Sequence, residues 1–155
     1  MINNPTEAQL LDAAKRAVGS LCQIPSDAVA VNDDGVIDFS RDGASAVVYF
    51  WVDAGDDDEP ASYRFQATLL HEVIDHDAVY QSINDINADI TYGQLCFRED
   101  RVVMYYRHFV SSLEPDILSW ILSRLLEDAD RFDDALKSRL GGHRWLERAS
   151  DEIDI

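Results

Sequence analysis

The stretch that decides the fold runs from residue 75 to residue 136 and contains four elements: DHDAVYQSINDINAD (residues 75–89), TYGQLCF (91–97), RVVMYYRHF (101–109) and EPDILSWILSRLLEDADRFDDAL (114–136). The first element predicts an amphipathic helix, because apolar residues recur every three or four positions, at Val79, Ile83 and Ile86 and, directly after it, at Ile90. The next two predict strands joined by a turn at Glu99-Asp100. Gly93, inside the first of these strands, indicates a bulge or a close backbone approach.

The fourth element predicts a long helix with Pro115 in its first turn, where the missing N–H of proline costs nothing. We expect its buried stripe to consist of the apolar residues at helical spacing, which are Ile117, Leu118, Ile121, Leu122, Leu125, Ala129, Phe132 and Leu136. Trp120 falls on the opposite side of the helical wheel. It is therefore expected to point away from the core.

The chain before residue 75 predicts one helix and four strands. Thr6 and Gln9 form a capping box, which starts a helix that we expect to end near Val18, at Gly19-Ser20. The predicted strands, separated by Asp-Gly turns at 34–35 and 42–43 and by the acidic loop 53–60, are residues 28–32, 36–40, 45–53 and 61–70. The fold class is therefore α+β, a single antiparallel sheet in the order α-β-β-β-β-α-β-β-α, with helices on one side.

The third of these strands departs from simple alternation. Its even-numbered residues, from Ala46 to Val52, can fill the core, but the other face carries Val47, Tyr49 and Trp51. Large aromatic side chains that point outward often anchor an interface. We therefore predict that Val47, Tyr49, Trp51 and Trp120 mark one or two contact surfaces, for a second subunit or for a client peptide.

Length and composition limit the possible roles. The 155 residues predict one α+β domain over residues 1–140 and an acidic C-terminal tail over residues 141–155, with at most a short helical turn. A net charge of -17 disfavours nucleic acid and anionic membranes as partners. The N-terminus lacks the pattern of a signal peptide, and no apolar run is long enough to cross a bilayer. Two cysteines, Cys22 and Cys96 in apolar contexts, fit a reduced, cytoplasmic protein.

No motif predicts a reaction, a cofactor or a metal. His71 and His76 are five residues apart, whereas a zinc-protease helix needs a spacing of four. The acidic loop lacks the glycine and closing glutamate of an EF-hand. A nucleophile pair of Cys96 and His108 is disfavoured by the apolar surroundings of the thiol. We therefore predict a non-enzyme, and we interpret Asn84 and Asn87 as residues that tie the helix to the next strand.

A family resemblance adds to this interpretation. The residues that carry it are Val79-Tyr80, Ile83-Asn84, Asn87, Gly93, the strand VMYYR at 103–107, and a long helix that ends with Ala129-Asp130, Phe132-Asp133 and Leu136. This pattern, over roughly residues 6–136, resembles the YbjN-type bacterial sensory transduction regulators, whose fold is similar to that of type III secretion chaperones. The resemblance implies the element order given above, with three or four strands before the central helix, a tendency to dimerise, and binding of peptides or proteins.

Two main hypotheses follow. The first is a non-catalytic, chaperone-like module that binds a protein or peptide client, and the alternative is a regulatory adaptor that binds one folded protein partner. A metal-dependent hydrolase is a third hypothesis with little support. We also expect a homodimer, because paired subunits are the commonest soluble assembly and the resembled fold often pairs.

Overall fold

The sheet has the strand order β1-β2-β3-β5-β4, with a short β6 that also pairs with β3, and all its neighbouring strands are antiparallel. The structure is a computed structural model that describes residues 3–110 and 115–146. Its helices are α1 (Glu7–Cys22), α2 (Asp77–Asp89) and α3 (Pro115–Leu140). Its strands are β1 (Ile37–Phe39), β2 (Val48–Asp53), β3 (Ser62–His71), β4 (Gln94–Arg98), β5 (Arg101–Phe109) and β6 (His143–Arg144). The predicted α+β class with a single antiparallel sheet is confirmed.

Helix α1 begins as the sequence predicts but ends later. The Thr6 hydroxyl accepts a hydrogen bond from the Gln9 N–H (3.2 Å), and the Gln9 side chain accepts one from the Thr6 N–H (2.9 Å). Gly19 does not end the helix, which continues to Cys22 and closes at Gln23 with a φ of 56°. Gly19 is instead a packing position, because a Cβ there would lie 2.8 Å from the Ile24 carbonyl oxygen.

The prediction of a strand at residues 28–32 is wrong. Residues Ser26–Ala28 form one 3₁₀ turn, and three strands, not four, precede α2 in the described chain. The Asn32 side-chain oxygen accepts hydrogen bonds from the N–H groups of Asp34 (3.0 Å) and Val36 (2.9 Å). This local turn competes successfully with a sheet, as Asn side chains often do.

Helices α1 and α3 pack on one face of the sheet, which we call the inner face. Its centre is a row of stacked rings across three strands, in which Phe65 lies 5.4 Å from Phe50 and 5.9 Å from Tyr106. The Tyr63 hydroxyl donates a hydrogen bond to the Leu10 carbonyl of α1 (2.9 Å), and burial raises the pKa of Tyr63 to about 12. The prediction that the helices lie on one side of the sheet agrees with these contacts.

The buried stripe of α3 differs from the prediction at one residue. Seven of the eight predicted core residues are buried, but Ile117 is 45% exposed and Leu126, which was not predicted, is 2% exposed. Ile117 lies about 90° from the centre of the stripe at 100° per residue. Leu126 lies on the opposite margin at a similar angle. The tilt of α3 against the sheet determines which margin is buried. A helical wheel gives no information about that tilt.

Asn87 connects α2 to β4, the edge strand of the sheet. Its side-chain oxygen accepts a hydrogen bond from the Leu95 N–H (2.7 Å), and its side-chain amide donates one to the Leu95 carbonyl (2.9 Å). Asn87 thereby has the predicted structural role, while Asn84 is exposed on the same helix. Gly93 is a close backbone approach, as predicted, since it has a φ of 84° and a Cβ there would lie 3.1 Å from the Tyr105 carbonyl oxygen.

Two residues beyond the end of α3, His143 and Arg144, belong to the sheet. The prediction placed the start of an acidic tail at residue 141 and allowed a helical turn there, but His143–Arg144 form β6, which pairs with Leu70 and His71 of β3. The Leu146 N–H donates a hydrogen bond to the Ser45 carbonyl (2.9 Å), so β6 lies beside the start of β2, next to the same strand β3. Residues 147–155 lie outside the described residues, and for them an acidic tail stays a prediction.

Candidate functional site: the outer face of the sheet

The face of the sheet that points away from α1 and α3 is the candidate site, and we call it the outer face. Strand register defines it, because side chains alternate between the two faces and directly paired residues share one. Trp51 pairs with Arg64 and Arg64 with Arg107, while Tyr49 pairs with Gln66, Gln66 with Tyr105, and Tyr105 with Gln94. The face also carries Asp38, Asp53, Thr68, Cys96, Arg98, Arg101 and Val103.

A shallow depression occupies the middle of the outer face. Its volume is about 480 Å³, and the outer-face residues that line it are Trp51, Arg64, Gln66, Gln94, Arg98, Tyr105 and Arg107. The set combines an indole and a phenol with two side-chain amides and three guanidinium groups. Amides and hydroxyls can both donate and accept hydrogen bonds. The depression can therefore contact apolar side chains and hydrogen-bond peptide groups together.

Charge is distributed unevenly across this face. Four of the thirteen basic residues of a chain with net charge -17 lie on strands β3, β4 and β5, at Arg64, Arg98, Arg101 and Arg107. The acidic residues of the face, Asp38 and Asp53, lie on β1 and β2. The acidic side chains of the outer face therefore lie on β1 and β2, and its basic side chains lie on β3, β4 and β5.

Asp53 and Glu59 neutralise two of these arginines. Asp53 forms ion pairs with Arg64 and with Arg107 (3.4 Å), and Glu59 forms one with Arg107 (2.6 Å). The pKa of Asp53 is lowered from its ordinary value, first by the Gly55 N–H that its side chain accepts and then by Arg64 and Arg107. The acidic loop between β2 and β3 therefore neutralises Arg64 and Arg107 at the end of the outer face where β2 ends.

Trp145 covers the end of the outer face where β2 begins, opposite the end that carries Asp53. Its indole N–H donates a hydrogen bond to the Tyr49 hydroxyl (3.1 Å), and the two rings meet edge to face at 6.5 Å. The Arg101 guanidinium lies 5.9 Å from the Trp145 ring, and the His71 ring lies 6.2 Å from it. Trp145 is a residue that the sequence analysis missed, because only the pairing of β6 with β3 places it here.

Arg144, the neighbour of Trp145, points the other way, toward α3. It pairs with Asp134 and lies 3.5 Å from the buried carboxylate of Asp133. Asp133 also accepts a hydrogen bond from the Ser45 hydroxyl (2.6 Å), and Asp130 accepts one from the Ser45 N–H (2.9 Å). Burial raises the pKa of Asp133 to about 6. These contacts fix β6, and therefore Trp145, to the domain.

The structure separates the four predicted contact residues. Tyr49 and Trp51 share the outer face, where Trp51 lines the depression and Tyr49 lies under Trp145. Val47 is 8% exposed and therefore presents little surface to a partner. Trp120 is 52% exposed on α3, where it packs against Tyr92 at 5.2 Å. Tyr49 and Trp51 therefore lie on the side of the sheet opposite Trp120, and contact surfaces at these residues stay a prediction.

The catalytic candidates are not brought together. Cys96 lies on the outer face, whereas His108 pairs with Tyr63 on the inner face, and burial raises the pKa of the Cys96 thiol. His71 stacks near the His143 ring at 5.6 Å, while His76 precedes α2 in extended backbone. Among residues 3–110 and 115–146, no group of three or more His, Cys, Asp or Glu side chains could hold a metal ion.

Comparison with known proteins identifies the family. The family model TY-Chap1, described as "T3SS (YopN, CesT) and YbjN peptide-binding chaperone 1", matches residues 9–148. The chain belongs to this family. The resemblance inferred from the residues is thereby confirmed, and so is the predicted functional class, a protein-binding module.

A solved structure supports the same fold for this TY-Chap1 chain. The crystal structure of the ExsC-ExsE complex contains a chain that is similar to this one, with a TM-score of 0.62 and 16% identity. The similarity covers 82% of this chain and 96% of that chain. No match was found among curated proteins. Within the described parts of this TY-Chap1 chain, no helix is long and apolar enough to cross a membrane.

Proposed function

We propose that this TY-Chap1 protein is a non-catalytic chaperone that holds an extended segment of a client protein on the outer face of its sheet. One observation carries the proposal: the described helices leave the outer face uncovered, and aromatic and hydrogen-bonding side chains meet there around the central depression. The family of peptide-binding chaperones supports it. So does the similarity to a structure determined as the ExsC-ExsE complex.

The geometry suits an extended peptide. The row of Tyr49, Gln66, Tyr105 and Gln94 crosses four strands, and neighbouring strands lie about 4.8 Å apart, so the row is about 14 Å long. Gln66, Tyr105 and Gln94 can donate to peptide carbonyls and accept from peptide N–H groups. Trp51 supplies the large flat apolar contact that carries binding energy in many interfaces. Specific residues thus provide both the polar and the apolar contacts.

The test compares two tryptophans on opposite sides of the sheet. Trp51→Ala removes the aromatic wall of the depression, whereas Trp120→Ala removes a more exposed indole from α3 and serves as the matched control. Peptides selected from a library on the wild type are titrated into both variants by calorimetry. We expect Trp51→Ala to lose at least about 30-fold in affinity, the effect of about 2 kcal/mol at an interface hot spot, and Trp120→Ala to lose none.

Circular dichroism checks that both variants are folded. Equal losses in the two variants, or unchanged affinity in Trp51→Ala, would place peptide binding elsewhere and contradict the proposed site. A protein that captures a folded partner but none of the partner's peptides would instead be the regulatory adaptor of the alternative hypothesis.

The second surface, on α3, supports a homodimer. Ile117 and Trp120 are exposed one turn apart, and Trp120 packs on Tyr92 beside them. Apolar residues clustered in this way are typical of an interface, and a C₂ dimer buries the same patch of both subunits. We expect a dimeric mass by light scattering at micromolar concentration and a monomeric mass for Trp120→Ala. A monomeric wild type would refute this part of the proposal.

The remaining features of the proposal are the cellular compartment and the absence of catalysis. Cys22 and Cys96 are both free thiols, and unpaired cysteines are usual in the reducing cytoplasm. Cys96 and His108, the candidate nucleophile pair, lie on different faces of the sheet. We therefore propose a cytoplasmic binding protein without enzymatic activity, and a stoichiometric metal content in the purified protein would argue against it.

A further inference from the structure

Two pairs of arginines face each other directly across neighbouring strands of the outer face. Arg64 of β3 is in register with Arg107 of β5, and Arg98 of β4 is in register with Arg101 of β5. Like charges at directly opposed positions destabilise an antiparallel sheet. Each pair therefore requires a compensating anion or carries a local cost to stability.

The first pair has its compensation within the chain. Asp53 contacts both Arg64 and Arg107, and Glu59 contacts Arg107 as well. The chain thus supplies two carboxylates for two guanidinium groups. This arrangement shows how a cross-strand arginine pair is neutralised on this face.

The second pair lacks such compensation. Arg98 makes no ion pair with any residue in the described parts of the chain, and its side chain is exposed. Arg101 has one carboxylate, that of its sequence neighbour Asp100 at 3.7 Å, and both side chains are about half exposed. An exposed pair of this kind contributes little. The Arg98–Arg101 pair therefore keeps most of its positive charge available.

The Arg98–Arg101 pair stands over a second depression of about 240 Å³, which is lined by polar side chains that include Gln66, Thr68 and Tyr105. Glu99, in the turn between the two arginines, is also one of its lining residues. Gln66, Arg98 and Tyr105 also line the larger depression, so the two are continuous. Arg101 is held in place by its contact with the Trp145 ring at 5.9 Å.

We infer that Arg98 and Arg101 bind a carboxylate of the client, so that the client segment is acidic at one end and apolar at the other. This inference rests on the proposed function and specifies its client. Guanidinium groups bind carboxylates in a planar, bidentate geometry. The net charge of -17 would repel a polyanion such as nucleic acid. An Asp or Glu side chain of a peptide brings a single negative charge, which the two arginines can bind.

The strand geometry sets the spacing within the client. Arg101 and Arg107 are six residues apart on β5, and Arg107 shares its cross-strand row with Trp51. Six residues of an extended strand span about 20 Å. Arg101 on β5 and Trp51 on β2 are also two strands apart, so an extended client that contacts both crosses the outer face obliquely. Such a client places its acidic residue about six positions from the apolar residue that contacts Trp51.

The test uses two synthetic peptides of equal length, identical except at one position. Each carries an apolar residue at one end and, six positions away, either Glu or Gln. Binding is measured by fluorescence anisotropy for the wild type and for the double variant Arg98→Gln/Arg101→Gln. A second double variant, Arg16→Gln/Arg139→Gln, makes the same change in net charge at exposed sites on α1 and α3 and is the matched control.

We expect the wild type and the control to bind the Glu peptide about tenfold more tightly than the Gln peptide, a factor that corresponds to ~1.4 kcal/mol. Arg98→Gln/Arg101→Gln should bind the two peptides with equal affinity. Equal binding of both peptides by the wild type, or a preference that survives in Arg98→Gln/Arg101→Gln, would overturn the inference and leave the proposed function standing. If both peptides bind the wild type and Trp51→Ala with the same affinity, the inference and the proposed site are both contradicted.

Discussion

Asp133→Asn tests how β6 is held to the domain. Asp133 is fully buried, and its pKa is raised to about 6 from an ordinary value of 3.8 because burial disfavours the charged form. One of its oxygens accepts the Ser45 hydroxyl at 2.6 Å, while the other makes no hydrogen bond within the described residues. The contact with Arg144 at 3.5 Å offsets only part of the cost. Asparagine keeps the shape and removes the charge.

The sign of the pH effect follows from the direction of this shift. A carboxyl group that binds its proton more tightly in the folded state adds stability as the pH falls through its folded pKa, and that contribution is lost as the pH rises. About two pKa units correspond to ~3 kcal/mol in full. Because the isoelectric point is about 4.3, measurements stop at pH 5. Of the total, about 1.4 kcal/mol falls between pH 8 and pH 5.

The assay is urea unfolding followed by tryptophan fluorescence at several pH values. We expect the free energy of unfolding of the wild type, relative to Asp133→Asn, to rise by about 1.4 kcal/mol as the pH falls from 8 to 5. Asp134→Asn is the matched control, since Asp134 pairs with the same arginine but its side chain is 68% exposed. A difference between wild type and Asp133→Asn that is constant with pH would refute the raised pKa and the cost assigned to burial.

Three further predictions concern single side chains. Asn87→Ala should lower the free energy of unfolding by about 1–3 kcal/mol in urea titrations, because it leaves two buried backbone groups of β4 without partners; an unchanged midpoint would show that Asn87 is not a structural tie. Gly93→Ala should cost more than Gly35→Ala, since both have positive φ but only Gly93 is crowded, and equal unfolding midpoints would attribute the whole cost to φ. The thiol of Cys96 should react with a disulfide reagent more slowly than that of exposed Cys22, because burial raises the pKa of Cys96; equal rates would contradict this.

Local signals in the sequence predicted most of the fold. The capping box at Thr6, the strands β4 and β5 and the long helix α3 each depend on contacts between residues near in sequence or on hydrophobic periodicity. Asn87 was also interpreted correctly, because an amide at the margin of a buried helical stripe has few roles other than bonding to neighbouring backbone. Where local chemistry decides a structure, the residues were sufficient to predict it.

The errors arose where distant residues or side-chain turns decide the structure. Residues 28–32 have β-forming composition, yet the Asn32 side chain closes a turn there. The two-residue strand β6 has no periodicity at all and exists because Leu70 and His71 offer it a partner. Ile117 lies on a margin of its helix whose burial depends on the tilt of α3.

The candidate site was predicted only in part. Alternation along β2 was enough to place Tyr49 and Trp51 on a face opposite the core. The arginine pairs could not be predicted, because Arg98 and Arg101 become opposed through the register of two strands. Trp145 could not be placed either, since its position depends on β6.

The pairing of β6 with β3 has a consequence for synthesis. A protein can begin to fold during synthesis, its N-terminal part first. Here β6, which lies beside the start of β2, follows that strand by about a hundred residues. Until Arg144 emerges, the carboxylate of Asp133 has no cation from β6 and the ring of Tyr49 has no Trp145 above it. A nascent chain that stops before residue 143 would therefore leave the ring of Tyr49 uncovered, and Trp145 covers that ring only after β6 has been synthesised.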